Sequence, residues 1–254
     1  MLNKIGTYLA LYLSKPRDDL RISTSKPGDL ANCLQKGDVL LVEGTSRFSS
    51  AIKYLTQSSW SHAAIFVDDA VYQTNDNGET LNLIEADIIE GVRAVHLKKY
   101  ESIHTRICRP VGLDQNEINA LLQNVIKRLG HTYDLKNIFD LLRYFVTTPP
   151  VPSRWKRSIL AFGSGDPTRA ICSSIIAEAF QSIKYPILPD ITLQECKTSK
   201  GKHYQKEIMH IRHHSLFAPR DFDVSPYFDI IKPTLKQNFN FHDVKLEPVG
   251  TDRF

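Results

Sequence analysis

Between residues 38 and 110 the chain repeats one pattern: a short apolar run, then a turn. "DVLLVEG" (38–44) is β-branched and bounded by Gly37 and Gly44. "SHAAIFVDD" (61–69) ends in an acidic turn, and "LNLIEA" (81–86) follows the turn "NDNG" (75–78). "GVRAVHLKKY" carries Val92, Ala94, Val95 and Leu97, and "TRICRPV" comes soon after. Runs of this length and composition read as strands. Short connections between them suit an antiparallel sheet or a small barrel. One helix interrupts the series, "SRFSSAIKYLTQ", with Phe48, Ile52 and Leu55 at helical spacing and Ser46 as its cap.

The second half changes character. "DQNEINALLQNVIKRLG" (114–130) has Asp114 to cap, Glu117 three residues later and Gly130 after the last turn, the pattern of a well-signed helix. "DLKNIFDLLRYFV" (134–146) predicts a second helix, stopped by "TTPPVP". A long Pro- and Gly-bearing loop then leads to a helix from about Ile171 to Ser182. "STSKPGDLANCLQKGD" reads as a loop ahead of the first strand, and "FAPRDFDVSPYFDIIKPTL" as an extended arm lying on the domain. The class is α+β. Residues 1–30 form an N-terminal amphipathic helix and linker, 31–195 the main domain and 196–254 a C-terminal extension.

Bulk properties narrow the function. Of the 254 residues, 42% are hydrophobic and 24% charged, with net charge +4, as in an ordinary globular protein. That mild excess lacks the basic stripe of a nucleic-acid binder, so no nucleic-acid partner is expected. The four cysteines, Cys33, Cys108, Cys172 and Cys196, form no C-x-x-C pair, which argues against a disulfide scaffold. "IMHIRHH" brings His210, His213 and His214 together. No cysteine or carboxylate signature frames them, so they read as a polar loop or helix end and no metal site is assigned. The N-terminus places Leu2, Ile5, Leu9 and Leu13 roughly on one helix face. That helix is expected to pack on the domain, with a peripheral membrane contact as the second reading. Its apolar run is too short to span a bilayer, and neither a signal cleavage site nor a lipobox follows. A cytoplasmic location is therefore expected.

Three residues carry candidate chemistry. Cys172 stands where the helix of "TRAICSSIIAEAF" begins. A helix N-terminus offers unsatisfied N–H groups and the positive end of the dipole. Both favour a thiolate nucleophile and an oxyanion beside it. Most free cysteines are instead small core residues. His62 opens an otherwise apolar strand, where a polar ring needs a partner or a task; it suits the base that a thiol nucleophile needs. Glu85 lies on the next strand and suits the group that orients the imidazole. Asp87 and Glu90 lie close by and compete for that last role.

The order His62, Glu85, Cys172 resembles that of the permuted papain-like cysteine hydrolases, circularly permuted relatives of the NlpC-type peptidases. Within them the chain is most similar to the YiiX/YebB-like branch. The blocks behind the resemblance are "GDVLLVEG", "WSHAAIFV", "LIEAD", "HTYD", "GSGDPTRAICSSIIAEAFQSIKYPILP" and "PRDFDVSPYFDIIKP". The resemblance implies a permuted papain-like fold, a sheet or small barrel against a helical layer. It implies Cys172 as nucleophile, His62 as general base and Glu85 as orienter. It puts Tyr133 in the site, and Ser173 joins Tyr133 as a substrate-binding residue. The expected activity is cleavage of an amide, peptide or isopeptide, through an acyl-enzyme, with no metal or organic cofactor. A lipid ester hydrolase or acyltransferase and a non-catalytic module that keeps the groove are the alternatives. The expected substrate is a peptide, an acylated molecule or a lipid.

Overall fold

The structure, a computed structural model, describes residues 28–87, 90–132, 171–197, 203–233 and 242. Element labels run in chain order over those residues. The repeated strands build one sheet from β1 (Val39–Val42), β2 (His62–Phe66), β3 (Leu83–Asp87), β4 (Gly91–Val95), β5 (Thr105–Pro110) and β8 (Phe228–Ile231). Their order is β4-β3-β2-β1-β5-β8, and every neighbouring pair is antiparallel. β4 and β8 are the two edges, so the sheet is open and the barrel alternative falls.

Both faces of the sheet are buried, which is why its central strands read as continuous apolar runs and not as alternation. Val39, Leu41, Ala63, Ile65 and Ile84 belong to one core cluster, and Leu40, Val42, Ala64, Phe66 and Leu83 to the other. α3 (Gln115–Ile126) and α4 (Ile171–Ser182) close the first cluster with Leu121, Leu122, Val125, Ile175, Ile176 and Phe180. Leu30 of α1 (Asp29–Cys33) closes the second, with Leu34, Leu97 and Tyr100. α2 (Arg47–Thr56) starts at Ser46, whose side chain accepts from the Ser49 N–H. α3 starts at Asp114 with the full capping box to Glu117; such a cap is worth about 1 kcal/mol.

Three stretches differ from expectation. The loop ahead of β1 contains α1, a single turn held by the burial of Leu30 and too short to show a period. The basic, His-rich stretch is a hairpin of β6 (Asp190–Lys197) and β7 (His203–His210), paired from Asp190↔His210 to Lys197↔His203. It straddles the division expected near residue 195. The C-terminal arm supplies α5 (Pro219–Asp223) and then β8, which extends the main sheet beside β5. The helices expected at 1–13 and 134–146 and the loop between 149 and 167 lie outside the described residues. No helix among the described residues is long and apolar enough to cross a membrane.

The "PRDFDVSPYF" block is tied down residue by residue. Phe222 and Phe228 pack on Phe180, with ring centroids 6.2 and 5.2 Å away. Asp223 accepts from Trp60 Nε1 at 2.9 Å and from Arg106 at 2.5 Å. Asp221 caps α5 by accepting from the Ala218 N–H. Trp60 lies two residues before His62 in the chain, so this contact braces the segment that leads into the candidate site.

Candidate active site

β2 begins at His62, and β3 sets Glu85 opposite Ala64. His62 and Glu85 are therefore diagonal neighbours on one face of an antiparallel pair, within reach of each other's long side chains. His62 Nε2 lies 2.9 Å from Glu85 Oε2. Glu85 has 0% exposure. An ion there costs several kcal/mol unless its charge and lone pairs are met. Four groups meet them. Oε2 accepts from His62 and from the Tyr100 hydroxyl. Oε1 accepts from Arg93 Nε at 2.9 Å and from Lys99 Nζ. Burial pushes the Glu85 carboxyl up, but His62 and Lys99 outweigh it and hold the group well below the usual carboxylate range. Glu85 is thus an anion in the core.

Cys172, on the first turn of α4, is 4% exposed and hydrogen-bonds to His62 at the starting end of β2. With Nε2 on Glu85, Nδ1 is the ring nitrogen left for Cys172. Burial pushes the His62 imidazole down, but Cys172 and then Glu85 outweigh it and raise it to about 10. At neutral pH His62 is an imidazolium held against the Glu85 carboxylate. The first N–H groups of α4 lack intrahelical partners, and the dipole favours negative charge at that end. Cys172, His62 and Glu85 therefore stand in series.

The competing acids have other work. Asp87 lies 3.6 Å from Arg93 and Glu90 pairs with the same guanidinium, while Glu85 is the acid on His62. Ser173, expected to bind substrate, is fully buried and donates from Oγ to the Phe217 carbonyl at 2.7 Å. Its side chain fastens α4 to the segment before α5. Tyr133 lies outside the described residues. In the histidine patch, His210 Nε2 is 2.8 Å from Thr192 Oγ1, and His213 Nδ1 is 2.8 Å from Ser215 Oγ. Among the described residues no group of three or more His, Cys, Asp or Glu is placed to hold a metal ion.

Sequence reasoning missed Arg93, Lys99 and Tyr100. A sign existed for Arg93, an arginine inside the apolar run "GVRAV" and directly opposite Glu85 in register. Lys99 and Tyr100 come from a 3₁₀ turn, Leu97–Tyr100, whose place beneath Glu85 no local pattern announces.

Comparison with known proteins gives one family and a distant structural likeness. Residues 33–145 match the model of the permuted papain-like amidase enzymes, YaeF/YiiX, C92 family. This is the family that the sequence resembles, and its amidase class makes a cysteine-type hydrolase the broad activity supported. The matched segment holds His62 and Glu85, and Cys172 lies beyond it. A solved structure described as that of the metalloprotein YiiX from Escherichia coli O157:H7 is 19% identical. The likeness covers 78% of this chain and 96% of that one, with a TM-score of 0.44. No curated protein matches this chain.

Proposed function

We propose that the chain is a cysteine hydrolase that cleaves an amide bond, peptide or isopeptide, through a thioester intermediate. The observation that carries this reading is the series Glu85, His62, Cys172, with the protonated imidazole between the Glu85 carboxylate and the Cys172 sulfur. The Cys172 thiolate adds to the carbonyl carbon, and the carbonyl π pair becomes an oxyanion facing the N–H groups that open α4. As the intermediate collapses, the leaving amine takes the proton of His62. The acyl group remains on sulfur. Neutral His62 then takes a proton from water, the hydroxide adds to the acyl carbon, and the thiolate departs. Acid product forms and the ion pair returns. Glu85 keeps Nε2 engaged throughout, so that Nδ1 handles the moving proton.

The second reading, an ester in an acylated or lipid substrate, rests on the stripe Leu2, Ile5, Leu9 and Leu13 in the sequence. One experiment addresses both. Thiol-directed acyl probes and matched amide and ester substrates are tested on the native chain, on Cys172→Ala and on a chain lacking residues 1–15. Labelling and turnover should vanish in Cys172→Ala, with amides turned over faster than esters. Labelling that survives the substitution removes Cys172 as nucleophile. Ester turnover that depends on residues 1–15 and on added vesicles favours the lipid substrate. A native Cys172 that is inert to every probe favours the non-catalytic module.

A further inference from the structure

The hydrogen bonds around Glu85 are distributed unevenly between its uses. One of the four donors, His62, belongs to the candidate machinery. The other three, Arg93, Lys99 and Tyr100, reach the carboxylate from the strand and turn beyond it. They share the two oxygens that govern His62. Building on the cysteine hydrolase reading, we propose that Tyr100 is a positioning residue of that site. It donates to Oε2, the oxygen that holds His62, and with Arg93 and Lys99 on Oε1 it divides the charge of Glu85 and limits its grip on the imidazolium.

The physical need is plain. A carboxylate with no other donors, buried against an imidazolium, would hold the proton too tightly for release to a leaving group. An acid works best when its pKa lies near the working pH. The ring of His62 already faces Cys172 from α4 and the carboxylate of Glu85 from β3, and both raise its proton affinity. Each donor that draws on Glu85 weakens one of those pulls. Tyr100 is suited to this because it stays a donor. It is 4% exposed, and burial followed by the charge of Glu85 pushes its hydroxyl well above the ordinary value. Its ring also packs beside His62, with centroids 6.0 Å apart, so one side chain meets both members of the pair. Lys99 lies 5.2 Å from the centre of the Tyr100 ring while bonded to Glu85. Arg93, on β4, is held in place from its far side by Asp87 and Glu90. Among the described residues, the charged and titratable groups facing His62 and Glu85 are thus Cys172, Arg93, Lys99 and Tyr100.

The test reads His62 itself. Full-length protein with ¹⁵N-labelled histidine is titrated from neutral to alkaline pH in a Cys172→Ala background. His62 is identified by the signal lost in His62→Gln. Tyr100→Phe keeps the ring and removes only the donor. It should raise the His62 midpoint by about half a pH unit or more, because a charge-assisted bond to the shared carboxylate is gone. Lys99→Met should move it the same way, and Lys99→Arg should leave it in place. A folded Tyr100→Phe protein whose His62 midpoint is unmoved or lowered overturns the proposal, since a merely packing role predicts no rise. Where circular dichroism shows Tyr100→Phe unfolded, Lys99→Met decides on the same criterion. The two readings fail separately. An inert Cys172 leaves this titration standing, and an unmoved His62 leaves the nucleophile standing.

Discussion

A carboxylate with no access to water survives only if its lone pairs and its charge are both satisfied, and Glu85 meets that condition through four side chains from three places in the chain. Its removal should therefore be felt twice. Glu85→Gln leaves Arg93 and Lys99 facing a neutral amide, and breaking a buried pair in this way costs about 3–5 kcal/mol. It also frees the imidazole ring, so turnover should fall by about 100-fold or more. The pH dependence has a definite sign. The folded pKa of Glu85 lies below its ordinary value of 4.5. Its stabilising contribution is therefore complete above that value and is lost as pH falls toward the folded one. Urea midpoints measured from neutral pH downward should fall more steeply for the native chain than for Glu85→Gln; parallel curves would show that Glu85 is not the ionised anchor. The same residues mark the limit of reading at this scale. His62 and Cys172 were legible because a polar ring at the head of an apolar strand and a thiol at a helix start each break a local rule. Arg93 gives a sign only as an arginine inside an apolar run, and Lys99 and Tyr100 break no rule, since a lysine–tyrosine turn is an ordinary surface feature until the fold places Glu85 beside it.

Elements give a second kind of constraint. β4 starts at Gly91, with φ of 74° and a position where a Cβ would come 2.3 Å from the His131 carbonyl oxygen. Val92 then donates to that same oxygen at 2.9 Å. Gly91→Ala would push the end of α3 and the start of β4 apart. Positive φ alone costs about 1–2 kcal/mol with a side chain present, and the displaced carbonyl adds to it. A drop of several degrees in Tm is expected, together with weakened labelling of Cys172, because Arg93 rides on β4. An unchanged Tm would mean that the contact relaxes freely. Most elements were legible where a local period or cap announced them, as with the Asp114 capping box and the four buried residues of β1. α1 was missed because one turn has no period. β6 and β7 were missed because their charged and histidine-bearing strands pair mainly with each other and carry no apolar run.

At the scale of the whole molecule, the C-terminal segment decides whether the site stands on a finished fold. β8 covers the edge of β5, with pairs from Ile107↔Ile231 to Pro110↔Phe228. Phe222 and Phe228 complete an aromatic cluster with Phe180 and Tyr185. Phe180 lies on α4, the helix that presents Cys172. Asp223 in turn satisfies Trp60 and Arg106 across the sheet. No local pattern in "SPYFDIIKP" marks a strand of the main sheet, because its partner β5 lies far back in the chain and a proline stands on either side. A chain ending after residue 218 would expose the β5 edge and leave the apolar end of α4 uncovered. Unpaired edges and bared aromatic surface drive association. The shortened chain should therefore aggregate on expression or show non-cooperative urea unfolding, and Cys172 should lose selective labelling by acyl probes. The milder substitution Asp223→Ala should fold, lose about 1–3 kcal/mol through the unpaired Trp60 and Arg106 groups, and retain labelling. Cooperative unfolding and native labelling in the shortened chain would show that the segment is an appended arm. Their loss, beside a folded Asp223→Ala protein, would make the last strand part of the scaffold on which the candidate nucleophile depends.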